Sequence, residues 1–222
     1  MSVYCITGID TDIGKSYATG LAARWLARRG RAVVTQKMAQ TGTLGTISDD
    51  ILLHRKLMGI EPLPEDHHGA TCAYIFRFPA SPHLAAEMEN RIIDPTAITA
   101  ATRKLLEKFD VVLLEGAGGL NVPLRRDYLI ADYLQAQTPK YPLIIVTSGR
   151  LGSINHTLLT LEAAARREIP VAGIVFNHHP PADPEISADA ANIFRSKISA
   201  FVEIPEIDLE NVSDVDFTSI FE

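Results

Sequence analysis

The sequence predicts an α/β fold in which helices cover both faces of a mostly parallel sheet. Short apolar runs recur at residues 3–6, 111–114, 143–146 and 171–175, and continuous runs of this kind are typical of strands buried within a parallel sheet. Stretches with helical spacing lie between these runs, and alternating strands and helices form parallel sheets. The length suits one sizeable core, so a single domain is predicted over residues 1–222.

The other elements follow from residue types. Residues 32–36 are rich in β-branched side chains and are predicted to form the second strand, and residues 201–204 the last one. Helices are predicted at residues 17–29, 48–57, 96–108, 154–167 and 186–196. Residues 58–82 contain four prolines and no regular pattern, so we expect them to wrap the surface near the site. No pattern predicts the structure of the C-terminal tail, residues 211–222.

Composition and charge restrict the possible function classes. The chain is 46% hydrophobic, which argues against disorder, and its formal net charge of −6 argues against a general nucleic-acid binder. No stretch approaches the length of a membrane span, and no basic region with a long apolar run begins the chain. Cys5 and Cys72 are too few for a disulfide framework, so a reducing cytoplasm is the expected compartment.

Residues 8–16, with the sequence GIDTDIGKS, predict a phosphate-binding loop between the first strand and the first helix. Gly14 would let the backbone approach an anion, Lys15 would meet the β- and γ-phosphates, and Ser16 would offer its hydroxyl to Mg²⁺. Five residues separate the first glycine from the Gly-Lys-Ser end, where the usual pattern has four. The structural alternative is a helix that begins near Gly14 and carries a surface lysine.

Polar residues follow other predicted strands, at the edge where parallel sheets place their sites. Glu115 ends the 111–114 run and precedes glycines, as in the metal-anchoring strand of a phosphate-loop enzyme. Lys37 ends the second strand, and Asn177 ends another with a donor and an acceptor suited to a base. The alternatives are a surface lysine for Lys37 and a turn residue for Asn177.

Two predicted helix starts also carry polar residues. Ser48 is expected to cap the second helix, with Asp49 and Asp50 in its first turn, where acidic residues favour the helix dipole without any further function. Ser153 could cap a later helix in the same way, with His156 packed in its first turn.

Together these motifs resemble the dethiobiotin synthetase family, ATP-dependent enzymes of the P-loop NTPase type that close the ureido ring in biotin synthesis. The resemblance covers most of the chain. It is carried by residues 8–16 with their extra residue, Lys37 with Thr41 and Gly42, Ser48 with Asp49, residues 79–86, residues 115–119 (EGAGG) and residues 151–156 (LGSINH). The chain departs from the family at Met38, where proline is usual, and at Gln40, where a smaller residue is common.

The resemblance implies a reaction and its participants. ATP, with Mg²⁺, would activate the carbamate formed from 7,8-diaminononanoate and CO₂ or bicarbonate. Lys37, Lys15 and Thr11 would be catalytic, and Ser16, Asp49 and Glu115 would hold the metal. The nucleotide would meet Asp12, Ile13, Gly14, Lys15, Ser16, Tyr17, Asp49, Glu115, Gly116, Ala117, Gly118, Asn177, His178, Pro205, Glu206 and Ile207. The substrate would meet Lys37, Thr41, Gly118 and Asn155.

The resemblance also implies a homodimer with its two sites at the interface, where residues 152–156 of one subunit hold the substrate carboxylate of the other. No nucleic-acid or membrane partner is expected. The main competing class is a nucleotide-switch ATPase of the septum-positioning and plasmid-partition kind, which carries a second lysine four positions before Gly14, where this chain has Asp10. A catalytically inert relative used as an interaction module is the other alternative, and the intact Lys15, Lys37, Asp49 and Glu115 argue against it.

Overall fold

The computed structural model describes residues 1–206, 209, 212 and 214–222. Within these residues the strands are β1 Ser2–Gly8, β2 Val33–Lys37, β3 Gln40–Thr41, β4 Ile75–Phe76, β5 Val111–Gly119, β6 Pro123–Arg125, β7 Tyr128–Leu129, β8 Leu143–Ser148, β9 Val171–Asn177 and β10 Phe201–Ile204. The helices are α1 Lys15–Arg28, α2 Asp49–Met58, α3 Pro64–His67, α4 Pro82–Met88, α5 Pro95–Leu106, α6 Ile130–Gln135, α7 Ser153–Arg166, α8 Pro184–Lys197 and α9 Thr218–Phe221. No helix in the described ranges is long and apolar enough to cross a membrane.

Six strands form one parallel sheet in the order β10-β9-β8-β1-β5-β2, which confirms the predicted fold class. Successive side chains of a strand point to opposite faces of the sheet. Val112 and Leu114 of β5 belong to one buried cluster, whereas Val111 and Leu113 belong to another. The sheet therefore separates two cores, one packed against α1 and the other against α5, α7 and α8.

The structure adds short elements that the sequence did not predict. The irregular residues 58–82 contain α3 and β4, and β4 pairs in parallel with β3 just beyond the end of β2. The antiparallel pair of β6 and β7 follows β5, which itself continues past the predicted 111–114 run to Gly119. Strands of two or three residues are too short to show a periodic pattern, so they form only where tertiary contacts hold them.

The described part of the C-terminal tail packs against α1. The indole Nε1 of Trp25 donates to Asp216 at 3.1 Å, and the Trp25 ring contacts the rings of Phe217 and Phe221. Phe217 is fully buried, and Ile220 is nearly so. Val215, Phe217 and Ile220 of this segment thus belong to the core on the α1 face of the sheet.

Candidate active site

The loop at residues 8–16 connects β1 to α1, as predicted, and its conformation requires Gly14. This residue has a φ of +93°, in the left-handed region that favours glycine. A Cβ at this position would lie 2.2 Å from the Nδ2 atom of Asn177. No other residue fits there without moving Asn177, so the glycine is explained by close packing as well as by its backbone angles.

Lys15 is a nearly buried cation whose charge is not neutralised by direct contact. It is 7% exposed, and its ammonium donates to the carbonyl oxygen of Asp10 at 2.9 Å. Within the described residues no carboxylate lies in ion-pair distance of it. Burial and, next, the nearby Lys37 charge lower the pKa of Lys15. A buried ammonium in this state favours an anionic ligand, which excludes the alternative of a surface lysine.

Glu115 is fully buried where the apolar run of β5 ends. Its Oε1 atom accepts from Ser16 Oγ at 2.9 Å and Lys37 Nζ at 2.7 Å, and its Oε2 atom lies 2.7 Å from Thr19 Oγ1 and 2.9 Å from His54 Nε2. Burial alone would raise the pKa of Glu115, but the Lys37 charge and the His54 hydrogen bond hold it well below its usual range. The carboxylate is therefore ionised and ringed by donors.

Lys37 lies beside Glu115 in the register of β2 with β5 and is only 5% exposed. Its ammonium is 2.7 Å from Glu115 Oε1, 2.5 Å from Asp50 Oδ2 and 3.1 Å from the carbonyl oxygen of Gly116. Burial lowers the pKa of Lys37, but the two carboxylates outweigh burial and raise it above the ordinary lysine value. Lys37 is thus a fixed cation inside the cleft, and not a surface lysine.

At the second predicted metal carboxylate the structure brings Asp50, and not Asp49, to the site. Ser48 caps α2 as predicted, and its Oγ atom accepts from the backbone nitrogen of Ile51 at 3.3 Å. Asp49, the next residue, is exposed and does not line the cleft, whereas Asp50 lines it and contacts Lys37. Neighbouring residues of a helix point about 100° apart, so only one of them can face the sheet.

Gln40, one of the two departures from the family pattern, supports the start of α2. Its Oε1 atom accepts from Ser48 Oγ at 2.6 Å and from the backbone nitrogen of Asp50 at 3.2 Å. Met38, the other departure, is fully buried in the core. The longer side chain of Gln40 therefore helps to hold the helix turn that carries Asp50.

The candidate site is a cleft of about 1100 Å³ at the carboxyl edge of the sheet. Of the residues predicted from the sequence, it is lined by Thr11, Asp12, Gly14, Lys15, Ser16, Tyr17, Lys37, Thr41, Glu115, Ala117, Gly118 and Asn177. Other predicted residues are not among its lining: Ile13, Asp49, Gly116, Asn155, His178, Pro205 and Glu206. Ile207 lies outside the described residues. His179 lines the cleft, whereas His178 turns to Glu203, with its Nε2 atom 2.7 Å from a carboxylate oxygen.

Asn177 is committed to backbone contacts. Its Nδ2 atom donates to the carbonyl oxygens of Ile13 at 3.0 Å and His179 at 2.9 Å, and its Oδ1 atom accepts from the nitrogen of His179 at 3.1 Å. Both amide hydrogens are used, so only a second lone pair on Oδ1 is left for a ligand. The side chain also fastens the end of β9 to the phosphate loop.

A buried ion pair behind the cleft escaped the sequence predictions. Arg55 binds Asp66 through two hydrogen bonds of 2.9 and 2.8 Å, and both side chains are nearly inaccessible. Asp66 also accepts from Thr71 Oγ1 at 2.7 Å, and the carbonyl oxygen of Thr71 accepts from the backbone nitrogen of Lys37 at 2.7 Å. This network ties α2 to the backbone beside Lys37. No local pattern announces it, because its members come from separate segments.

Comparisons with known proteins show which proteins this chain is similar to. The family model described as an AAA domain matches residues 2–211. An ATP-dependent dethiobiotin synthetase BioD of Chlorobaculum tepidum is 52% identical over 93% of this chain and 86% of its own length. An ATP-dependent dethiobiotin synthetase BioD 2 of Pasteurella multocida is 48% identical over 90% of this chain and 92% of its own length. The crystal structure of a ParA family ATPase from Chlorobium tepidum TLS has a TM-score of 0.55 at 14% identity, covers 93% of this chain and 85% of that chain, and shares the fold.

Proposed function

We propose residue roles for the reaction of this chain, which belongs to the family of ATP-dependent dethiobiotin synthetases. Its activity is the ATP-dependent ring closure of biotin biosynthesis. In the course that we assign, the 7-amino group of 7,8-diaminononanoate captures CO₂ as a carbamate, and ATP phosphorylates the carbamate to a carbamic–phosphoric anhydride. The neighbouring amine then closes the ring and expels phosphate, which leaves dethiobiotin and ADP.

The convergence of two lysines and two carboxylates in one cleft carries this proposal. A carbamate and a γ-phosphate are both anions, so their approach requires positive charge and hydrogen-bond donors. Lys15, which has no carboxylate partner among the described residues, binds the β- and γ-phosphates. Lys37 acts on the carbamate. Most of the catalysis then comes from holding the two reactants in line.

Substrate-facing donors surround this centre. Thr11 and Gly118 both line the cleft, and a Cβ at Gly118 would lie 3.8 Å from the Oγ1 atom of Thr11, so the Thr11 hydroxyl lies beside this glycine. Thr11 donates to the carbamate or to the γ-phosphate. Thr41 lines the same cleft and binds the substrate next to Lys37.

The oxygen atoms near Lys37 suit a magnesium ion. Ser16 supplies a hydroxyl and Asp50 and Glu115 supply carboxylates, which are the hard ligands that Mg²⁺ prefers. The ammonium of Lys37 already contacts both carboxylates, so a single cation can reach the two of them. When bound there, the metal supplies positive charge for the phosphates. With the metal held by these carboxylates, the ammonium of Lys37 would be available to pair with the carbamate.

Replacing Asp50 with asparagine is expected to raise the Mg²⁺ concentration for half-maximal activity at least about tenfold, because even a partner behind a metal ligand contributes that much. Asp49→Asn is the matched control, since it removes the same charge from the same helix turn at an exposed position. Mg²⁺ titrations of both variants, with circular dichroism to confirm folding, make the comparison. A larger effect of Asp49→Asn would show that Asp49, the carboxylate predicted from the sequence, binds the metal in place of Asp50.

Adenine recognition is assigned to the Oδ1 atom of Asn177 and to the backbone at Pro205 and Glu206, which follow β10 at the same edge. The free lone pair of Oδ1 can accept from the amino group of adenine, whereas guanine presents a carbonyl there. Asn177→Ala is therefore expected to reduce the preference for ATP over GTP. If the substitution weakens ATP binding and GTP binding equally, Asn177 acts only by holding the phosphate loop through its hydrogen bond to Ile13.

The substrate carboxylate is assigned to residues 152–156 of a second subunit in a homodimer. Asn155 is exposed and lies outside the cleft of its own chain, and Leu151 beside it is 81% exposed. A closed twofold pairing is also the commonest kind of oligomer. Sedimentation equilibrium tests the dimer, and a monomer with full activity at assay concentration would contradict it. The compartment that we propose is the cytoplasm, since Cys5 and Cys72 are free thiols.

One assay tests the function as a whole. Formation of dethiobiotin should require ATP, Mg²⁺, the diamine and bicarbonate together, and omission of any one should abolish it. The nucleotide-switch alternative predicts ATP turnover without the diamine. Those ATPases carry their second lysine at the position of Asp10 in this chain. Asp10 is an anion that pairs with Arg150, so the loop lacks that cation.

A further inference from the structure

Among the described residues, the side chain of His54 makes its only polar contact with the proposed metal carboxylate, Glu115. The ring is fully buried, and its Nε2 atom lies 2.9 Å from Glu115 Oε2. The Nδ1 atom has no hydrogen-bond partner within the described part of the chain. An ionised carboxylate can only accept, so Nε2 carries the hydrogen and donates it.

The other contact at Oε2 is weaker than its distance suggests. Thr19 Oγ1 lies 2.7 Å from Oε2 of Glu115 and 2.8 Å from the carbonyl oxygen of Lys15. Both of these atoms are acceptors, and a hydroxyl has one hydrogen to donate. In the part of the chain that the structure describes, His54 is therefore the one donor whose hydrogen is committed to Oε2, whereas Oε1 receives hydrogen bonds from Ser16 and Lys37.

The packing of α2 brings His54 to this position. His54 lies one turn after Asp50 on α2, so the two side chains share a face of the helix. The helix approaches α1 closely at Gly20, where a Cβ would lie 2.6 Å from Leu57 Cδ1 and 3.2 Å from the Cα atom of His54. One helix thus delivers Asp50 to the cleft and supports Glu115 from behind.

We propose that His54 is a positioning residue that holds Oε2 of Glu115 and so directs Oε1 toward the metal. The proposal rests on the magnesium site of the proposed function. Residues that orient a metal ligand in this way raise metal affinity about 10- to 100-fold. Glu115 lies on β5, 61 positions along the chain from His54, so only the packing of α2 near β5 brings the two side chains together.

The test compares His54→Leu, which removes the donor at similar volume, with His54→Gln, whose terminal amide keeps a donor at nearly the same reach. Mn²⁺ binding in the presence of a non-hydrolysable ATP analogue, followed by electron paramagnetic resonance, should weaken about tenfold in His54→Leu and recover in His54→Gln. Unchanged Mn²⁺ affinity in folded His54→Leu would overturn the proposal. A purely structural role would lower the melting temperature of both variants without separating their metal affinities, and that result would overturn it too.

Two further measurements keep the outcome clear. Glu115→Gln tests the metal site itself. If Glu115→Gln weakens Mn²⁺ binding and His54→Leu does not, the proposed role of His54 is wrong but the metal site stands. If neither variant weakens Mn²⁺ binding, the proposed metal site is wrong. Imidazole ¹⁵N spectra of the wild-type protein need no variant at His54. They should show the hydrogen on Nε2, and a hydrogen on Nδ1 alone would overturn the proposal, because a bare Nε2 cannot hold a carboxylate.

Discussion

Replacing Lys37 with glutamine is expected to lower dethiobiotin formation about a hundredfold or more, which corresponds to a lost transition-state contribution of about 3 kcal/mol. The Lys37 ammonium favours the neutral form of the nearby substrate amine, because a protonated amine would place a second positive charge beside it. The same ammonium then stabilises the carbamate. Nucleotide affinity should stay nearly intact, since Lys15 and the loop backbone bind the phosphates. Steady-state turnover and a separate ATP binding measurement make the distinction.

The same substitution also removes the cation that neutralises Glu115 and Asp50. Breaking a buried pair on one side can cost about 3–5 kcal/mol of stability, so the variant must be shown to be folded at the assay temperature. High bicarbonate at raised pH supplies preformed carbamate and should rescue the variant only in part, because the stabilising role is still missing. Wild-type turnover, or a loss confined to ATP affinity, would show that Lys37 acts elsewhere.

Replacing Lys15 with alanine should abolish phosphoryl transfer, with turnover at saturating ATP reduced about a thousandfold or more. Its ammonium is nearly buried and contacts a carbonyl oxygen, and no carboxylate of the described residues pairs with it, so its charge can pair with an incoming phosphate. Single-turnover phosphorylation of the carbamate is the direct measurement. Lys104→Ala removes an exposed lysine of α5 and serves as the control. Near-normal turnover in Lys15→Ala would be incompatible with this role.

The sequence alone predicted the main sheet and many of the residues that line the candidate cleft. Apolar runs such as 111–114 and 143–146 are buried strands because a parallel sheet covered on both faces requires continuous apolar residues. The phosphate loop was recognisable because its glycine and lysine are local requirements. Lys37 and Glu115 could be placed together because the carboxyl ends of parallel strands meet at one edge of the sheet.

Asp50 shows what the sequence could not decide. Asp49 and Asp50 are chemically identical neighbours in the first turn of α2, and both are explained equally well as residues that favour the helix dipole. Which of them faces Lys37 depends on the rotation of α2 about its axis. Gln40, the Arg55–Asp66 pair and the close approach at Gly20 set that rotation through contacts with other segments.

The contacts of His54 and Asn177 also could not be predicted from the sequence. A lone histidine in a helix has no pattern that reveals a partner on β5, and Asn177 looked free to bind a base until the structure showed its amide hydrogens on Ile13 and His179. Local sequence determined the strands of the main sheet and the long helices, what chemistry their ends carry and the family to which the chain belongs. Only the tertiary structure decided which donors remain available to ligands, because that depends on hydrogen bonds between residues far apart in the chain.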